Sequence, residues 1–171
     1  MLRLILLRHA KAAAHEEGGD AERPLTKRGR RDALRVGDYL AGQQLFPDLA
    51  LVSPAKRTRE TLELALDNFG EPVPAEAEPA LYHAAPADLL AAVRATPGFV
   101  RLLLVVGHNP GLSEVATLLT GHGAQPMRAR MEAGFPTSAF AIIDFEAAKW
   151  ADVSFGSGLL QNFVTPQDLA D

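Results

Sequence analysis

Short, continuous apolar runs alternate along this chain with segments whose apolar residues recur at helical spacing. A run of this kind is typical of a strand that is buried on both faces of a sheet. Four runs fit the description: residues 2–7, 49–52, 102–106 and 139–145. The segments between them predict helices after a Thr26 N-cap, over residues 55–67, over residues 87–94, and after Pro110.

This alternation of strand and helix favours a three-layer α/β/α fold, in which helices cover both faces of a mostly parallel central sheet. The length of 171 residues is close to that of one domain, so residues 1–171 are expected to form a single domain. Glycine and proline cluster in residues 70–79 and 121–136, where we expect long loops. We expect residues 164–171 to be a frayed end.

Composition and charge narrow the classes of function. The chain is 47% hydrophobic with a net charge of −4, which is typical of a soluble globular protein and argues against general nucleic-acid binding. The chain has no cysteine, so disulfides and thiolate chemistry are excluded. Arg3 interrupts the apolar N-terminal run, and no run approaches the roughly 18 apolar residues of a membrane span. We therefore expect a cytoplasmic protein that binds neither membranes nor nucleic acids.

Histidines and basic side chains follow three of the predicted strands at the point where each strand ends. They are Arg8 and His9 after the first strand, Lys56, Arg57 and Arg59 after the second, and His108 in the G-H-N-P-G turn after the third. Because ligands bind at the carboxyl ends of the strands in an open α/β sheet, we expect these side chains to converge. No acidic residue lies at any of the three ends.

The residue types at these ends suit an anion better than a metal ion. A metal site would combine histidines with carboxylates, and arginines would repel the cation. Guanidinium groups bind phosphate oxygens bidentately, and a helix N-terminus adds backbone donors. The GxxxxGK[ST] loop of nucleotide-hydrolysing enzymes is missing. The pattern itself leaves open whether the ends form a phosphoryl site or serve ordinary structural roles.

The helix after the second strand offers two candidate arginines. Arg57 and Arg59 are about 200° apart around a helix axis, so both cannot point into one pocket. The core side of the helix lies between them, and periodicity therefore does not choose. Arg57 is nearer the strand end, which favours it modestly.

Four motifs together resemble those of the histidine phosphatase superfamily, which includes the cofactor-dependent phosphoglycerate mutases. The chain is most similar to the small SixA-type phosphohistidine phosphatases of that superfamily. In chain order the motifs are L-L-R-H-A-K-A, R-P-L-T-K-R-G, L-V-S-P-A-K-R-T-R-E-T and V-V-G-H-N-P-G, and a weaker echo follows from F-P-T-S onward. The resemblance implies a phosphoglycerate mutase-like fold.

The resemblance also implies roles for individual residues. His9 would be the nucleophile that accepts the phosphoryl group, and Arg8, Arg57 and His108 would bind its oxygens. Arg23, in R-P-L-T, matches a position that can also face the phosphate. The resemblance implies neither a metal nor another cofactor.

The segment in which larger relatives place a proton-donating acid reads E-P-A-L-Y-H-A-A-P-A-D-L-L here and lacks the mutase pattern. Asp88 is expected to cap a short helix and His83 to lie at the surface, although either residue, or water, could supply a proton. His15, Glu16, Glu17 and Asp20 lack the spacing of metal ligands, and we expect them to form a mobile rim.

A site without a strong acid suits phosphohistidine, because imidazole leaves more easily than an alkoxide. The leading hypothesis is thus a metal-independent phosphatase that acts on phosphohistidine in a protein. A phosphatase of small phosphate esters is the alternative, and a non-catalytic phosphate-binding adaptor is a third. The expected partner is a phosphorylated protein or a small phosphorylated substrate, and a monomer is compatible with the sequence.

Overall fold

The computed structural model describes residues 1–170, which form one seven-stranded sheet flanked by six α-helices. The strands are β1 Leu2–Arg8, β2 Leu49–Val52, β3 Ala75–Ala77, β4 Leu102–Gly107, β5 Thr120–His122, β6 Phe140–Phe145 and β7 Gly158–Val164. The helices are α1 Lys27–Gly42, α2 Lys56–Ala65, α3 Pro86–Arg94, α4 Gly111–Leu119, α5 Gln125–Ala133 and α6 Pro166–Leu169. Short 3₁₀ turns occupy Asp20–Glu22, Pro79–Leu81 and Trp150–Asp152.

The sheet has the strand order β3-β2-β4-β1-β6-β7-β5. Four of the six strand pairings are parallel, and only the two pairings of β6 are antiparallel. The predicted α/β fold with a mostly parallel sheet is therefore confirmed. Helices α1, α2 and α6 cover one face, and α3, α4 and α5 cover the other.

Burial on both faces explains why the central strands are continuously apolar. In β1, Leu4 and Leu6 point into the core beneath α3 and α4, whereas Ile5 and Leu7 point into the core beneath α1 and α2. Successive side chains of a strand face opposite sides, so a strand between two helical layers needs apolar residues at every position.

The charge that interrupts the apolar run of this strand is paired across the sheet. Arg3 lies opposite Asp144 of the antiparallel strand β6. Its Nε and Nη2 atoms donate to the two carboxylate oxygens of Asp144 at 2.7 and 2.8 Å. Because Asp144 is buried, this bidentate pair removes the cost of leaving its charge unpaired.

The parallel register brings three strand ends together. Arg8 lies opposite Gly107, and Val52 lies opposite Val106. Beyond the strands, the backbone N–H of His9 donates to Gly107 O and that of Ser53 donates to Val106 O, both at 3.1 Å. The turns that follow β1, β2 and β4 therefore begin side by side at one edge of the sheet.

Helix α1 begins directly after Thr26, the residue that the sequence predicts as its N-cap. The Oγ1 atom of Thr26 accepts the backbone N–H of Gly29 at 3.0 Å. That hydrogen bond satisfies one of the free amides of the first turn.

Several segments that were expected to be loops or a frayed end form helices or strands. The predicted loop of residues 121–136 contains α5, and that of residues 70–79 contains the exposed edge strand β3. The expectation of a frayed end at residues 164–171 is wrong, because Val164 ends β7 and α6 follows it. Thr165 caps α6, and Asp168 forms an ion pair with Arg130 of α5 at 2.7 Å. Residue 171 lies outside the described residues.

Across residues 1–170 there is no helix with the length and apolar character needed to cross a membrane.

Helix α2, which carries Arg57, packs against α1 at a glycine. A Cβ atom on Gly37 would lie 2.3 Å from the carbonyl oxygen of Ala65, closer than two such atoms can approach. The glycine therefore sets the distance between the two helices.

Substituting Gly37→Ala is expected to destabilise the protein by about 1–3 kcal/mol, because the helices must separate to admit the methyl group. Gly42→Ala is the matched control, since a Cβ there meets nothing within 4 Å and alanine is the better helix former. Urea denaturation measures both changes. Equal stability of the two variants would contradict the packing argument.

Candidate active site

His9 follows β1 and is 8% exposed. Its Nδ1 atom lies 2.8 Å from the carbonyl oxygen of Ala10. A carbonyl can only accept, so this contact places the ring hydrogen on Nδ1 and leaves the lone pair on Nε2. The backbone thus fixes both the orientation of the ring and the nitrogen that could act as a nucleophile.

His108 follows β4, with its ring centroid 5.3 Å from that of His9 and inclined by 57°. Its Nε2 atom lies 2.7 Å from the Oγ atom of Ser53, at the end of β2. Its Nδ1 atom is buried and has no hydrogen-bond partner among the described residues. The two predicted histidines therefore meet in one site, as the sheet topology requires.

Arg57 lies in the first turn of α2 and is 4% exposed. Its Nη1 and Nη2 atoms donate to the carbonyl oxygen of Asp20 at 2.8 Å and to its Oδ2 atom at 3.1 Å. Arg59, by contrast, is exposed and donates from Nε to the carbonyl oxygen of Pro54. Of the two arginines that periodicity could not separate, the structure turns Arg57 toward the site.

Arg23 joins this group from the loop before α1. Its Nε atom donates to Asp20 Oδ1 at 2.9 Å, and its Nη1 atom donates to the carbonyl oxygen of Ala13 at 2.8 Å. Arg8 donates from Nη1 to the carbonyl oxygen of Phe135 at 3.0 Å. Arg8 lines a neighbouring groove, which it shares with Arg28 and Arg130.

Arg23, Arg57 and His108 line one open cavity of about 510 Å³, and the buried ring of His9 lies next to that of His108. The charged and titratable residues that line the cavity are Asp20, Arg23, Arg57, His83, His108 and Glu114. The turn after β4 and the first residue of α4, Gly111, form part of the wall. The cavity therefore combines two guanidinium groups, two histidines and the N-terminus of a helix, which favour an anion.

Asp20 is the principal residue that sequence reasoning missed. The expectation of a mobile rim is wrong for Asp20, because its carboxylate contacts Arg23 and Arg57 and accepts a hydrogen bond from the Tyr82 hydroxyl. The only signal in the sequence is the i, i+3 spacing of Asp20 and Arg23, which is common on protein surfaces.

Two serines contact the histidines or the turn that carries them, and no pattern in the sequence assigns a role to either. Ser53 Oγ contacts His108, as described above. The backbone N–H of Ser138 lies 3.2 Å from the carbonyl oxygen of Arg8 and 3.1 Å from that of His9. Ser138 is buried and adopts a φ of 65°, in the left-handed region that non-glycine residues rarely occupy. The N-terminal end of β6 therefore anchors the Arg8-His9 turn.

The two acid candidates occupy different positions. Asp88 caps α3, because its Oδ2 atom accepts the backbone N–H of Ala85 at 2.9 Å, and it does not line the cavity. His83 is exposed, as expected, but lines the cavity with its ring 4.1 Å from that of Tyr82.

Burial and the neighbouring arginines hold both site histidines neutral. Desolvation, with Arg57 and Arg8 nearby, lowers the pKa of His9 to about 4. Desolvation, with Arg57 and His9 nearby, lowers the pKa of His108 to about 3. A neutral imidazole is the nucleophilic form, so His9 is available for attack at neutral pH.

Among residues 1–170, three buried nitrogen atoms of the predicted site residues have no hydrogen-bond partner: Arg8 Nε, Arg57 Nε and His108 Nδ1. Buried N–H groups are nearly always hydrogen-bonded, and an unpaired one costs about 1–3 kcal/mol. Their concentration on residues from the three strand ends favours a ligand that accepts several hydrogen bonds. Within residues 1–170, no group of three or more histidine, aspartate or glutamate side chains is arranged to hold a metal ion.

Comparison with known proteins assigns the family. Residues 4–84 match the histidine phosphatase superfamily (branch 1). The chain belongs to this superfamily, and the predicted resemblance and fold class are thereby confirmed.

Within the superfamily, the chain is similar to SixA-type proteins. The phosphohistidine phosphatase SixA of Escherichia coli is 29% identical over 147 residues, which cover 85% of this chain and 86% of the relative. A solved structure of the protein histidine phosphatase SixA complexed with tungstate has a TM-score of 0.80 at 27% identity, covering 99% of this chain and 100% of that one. An uncharacterized protein of Mycobacterium tuberculosis is 35% identical over 163 residues, covering 94% of this chain and 100% of the relative.

We expect the imidazole of His9 to titrate with a midpoint near 4 in the free protein, whereas an ordinary histidine is half protonated at about pH 6.5. The ¹⁵N chemical shifts of the ring nitrogens, assigned with the H9A variant, measure the midpoint. Saturating phosphate should raise it, because a bound anion stabilises the imidazolium. A midpoint at or above about pH 6.5 in the free protein would contradict the described burial.

Proposed function

We propose that this protein is a metal-independent phosphatase that removes the phosphoryl group from phosphohistidine in proteins. The reaction proceeds through a covalent phosphohistidine on His9. The observation that carries the proposal is the buried, backbone-oriented His9, whose ring lies 5.3 Å from that of His108. Among the described residues, the buried Arg8 Nε, Arg57 Nε and His108 Nδ1 atoms have no hydrogen-bond partner.

In the first step, the lone pair of His9 Nε2 attacks phosphorus as the bond to the leaving group breaks in line. The Nδ1–H of His9 remains hydrogen-bonded to Ala10 O, which accepts more strongly as positive charge develops on the ring. In the second step, water attacks the phosphorus and the P–N bond breaks, with its electron pair returning to Nε2. Both protons of water leave with the product as dihydrogen phosphate, and His9 is again neutral with its hydrogen on Nδ1.

The arginines and His108 stabilise the phosphoryl oxygens in both steps. Ser53 Oγ lies 3.4 Å from the backbone N–H of Ala55, which it accepts, so its own proton is free to be donated to His108 Nε2. In that arrangement Nδ1 of His108 carries a hydrogen atom and is a donor. Donors that are fixed and buried before the substrate arrives lower the barrier because they need not reorganise.

The choice of substrate follows from the acids around the site. Asp88 is engaged as a helix cap, and Asp20 is ionised by its contacts with arginines and Tyr82. Neither group is placed to protonate an alkoxide. A leaving imidazole does not need that proton on its departing nitrogen, so phosphohistidine suits this site better than a sugar phosphate does.

A phosphorylated protein is accordingly the partner that we propose. We also propose that the protein acts in the cytoplasm, with which a chain free of cysteine is consistent.

A substrate panel tests the proposed reaction. We expect kcat/KM to be highest for a phosphohistidine peptide, lower for p-nitrophenyl phosphate and lowest for sugar phosphates. Rapid quenching during turnover of ³²P-labelled substrate should trap label that is stable to alkali and labile to acid, as expected of phosphohistidine, and that is absent from H9A. Faster turnover of sugar phosphates would support the alternative, a small-molecule phosphomonoesterase. A protein that binds phosphate without turnover would be an adaptor.

The two arginines of α2 provide a matched pair of variants. Arg57→Ala should lower kcat/KM at least tenfold, because a charge-assisted hydrogen bond contributes about 1.5–3 kcal/mol. Arg59→Ala, which removes the same charge from an exposed position, should leave kcat/KM nearly unchanged. Steady-state kinetics with the phosphohistidine peptide measure both. A larger loss in the Arg59 variant would show that Arg59, and not Arg57, contacts the phosphate.

A further inference from the structure

Asp20 joins three separate segments at the rim of the cavity. Its Oδ1 atom accepts from Arg23 Nε at 2.9 Å, and its Oδ2 atom accepts from Arg57 Nη2 at 3.1 Å and from the Tyr82 hydroxyl. Its side chain is 45% exposed, whereas that of Arg57 is 5% exposed. Asp20 is therefore held by three residues, yet nearly half of its side chain stays exposed, and it lines the cavity.

These contacts keep the carboxyl group ionised. The hydrogen bonds from Tyr82, Arg23 and Arg57 hold the pKa of Asp20 well below its usual range. An ionised carboxylate cannot protonate a leaving alkoxide, but it accepts a hydrogen bond from an N–H group strongly.

The leaving group must occupy the part of the cavity that Asp20 borders. In-line displacement places the leaving atom on the side of phosphorus opposite the attacking Nε2 of His9. His9 is 8% exposed and lies next to His108, which lines the cavity, whereas the side chain of Asp20 is 45% exposed. The departing group therefore faces away from the buried His9, toward the exposed part of the cavity that Asp20 lines.

A phosphorylated imidazole has a second ring nitrogen, and its protonation governs how readily the P–N bond breaks. When that bond breaks, the electron pair returns to the nitrogen that carried phosphorus. If the second nitrogen holds a hydrogen, neutral imidazole leaves; if it does not, the much poorer imidazolate leaves. A carboxylate hydrogen-bonded to that N–H stabilises the protonated, positively charged ring.

We propose that Asp20 is a specificity-determining residue whose carboxylate accepts the N–H of the phosphorylated imidazole and keeps that ring protonated while the P–N bond breaks. The proposal rests on the proposed function. It explains how the site favours phosphohistidine although neither Asp88 nor Asp20 is available to protonate an alkoxide. The hydrogen stays on the second nitrogen throughout, and the phosphoryl group passes to His9.

The variant Asp20→Asn separates this role from mere support of Arg57. Asparagine has nearly the same shape, and the contact from Arg57 Nη1 to the backbone carbonyl of residue 20 does not depend on the side chain. Glu22→Gln is the matched control: it removes the same charge from the same 3₁₀ turn, and among the described residues the side chain of Glu22 contacts neither Arg23 nor Arg57. Asp20→Glu, which keeps the charge, tests for partial rescue.

The variants are compared on a phosphohistidine peptide and on p-nitrophenyl phosphate, whose leaving group has no N–H and needs no proton. For the peptide, Asp20→Asn should lower kcat/KM about ten- to a hundredfold, the effect of one charge-assisted hydrogen bond. For p-nitrophenyl phosphate the change should be small. Glu22→Gln should change neither, and Asp20→Glu should recover part of the loss.

The pH profile provides a second readout. Activity on the peptide should fall with rising pH as the substrate ring loses its proton, and this fall should begin at lower pH in Asp20→Asn. The charged and titratable groups that face Asp20 across the cavity are the same in both proteins: Arg23, Arg57, Tyr82, His83, His108 and Glu114.

Two results would overturn the role of Asp20 alone. Equal losses on both substrates would show that the carboxylate only positions Arg57, and equal gains would show that it obstructs the phosphate site. Wild-type protein that turns over p-nitrophenyl phosphate but not the phosphohistidine peptide would instead refute the proposed function, and the role of Asp20 with it.

Discussion

The parallel pairing of β4 with both β1 and β2 is the constraint on which the site depends. Backbone hydrogen bonds hold the three strands in register, so the turns after Arg8, Val52 and Gly107 begin at the same level. The residues that follow are far apart in sequence, yet the rings of His9 and His108 lie 5.3 Å apart. Shifting one strand by a single residue would move the residues that follow it along the edge of the sheet, so the backbone pairing that stabilises the fold also fixes the site.

Burial and positive charge act together on the two histidines. Protonating either ring would add a charge beside arginines in a region with little water, and the low pKa values of both rings express that cost. In the proposed reaction a bound phosphoryl dianion reverses the balance, because its negative charge stabilises a protonated ring beside the arginines. The same surroundings thus keep His9 neutral before attack and favour the charge of the phosphorylated ring in the reaction that we propose.

The sequence predicts this structure well where one physical rule dominates. Strands β1, β2 and β4 are apolar at nearly every position because both of their faces are covered, and Thr26 marks the start of α1. Prediction fails where stability comes from tertiary contacts. Helix α5 buries only Met131, and the short α6 depends on the pair between Arg130 and Asp168, so neither leaves a clear periodic pattern.

The same division runs through the site and explains why Asp20 was missed. Residues at strand ends follow from topology, whereas Asp20 reaches the site from a 3₁₀ turn through hydrogen bonds to Arg23, Arg57 and Tyr82. No local pattern encodes that convergence. Asp20 nevertheless changes which leaving group the site favours, because the strand ends supply only cations and histidines, which suit any phosphoryl group. A carboxylate at the rim adds a negative charge where the leaving group departs, and a leaving group that carries an N–H gains from it.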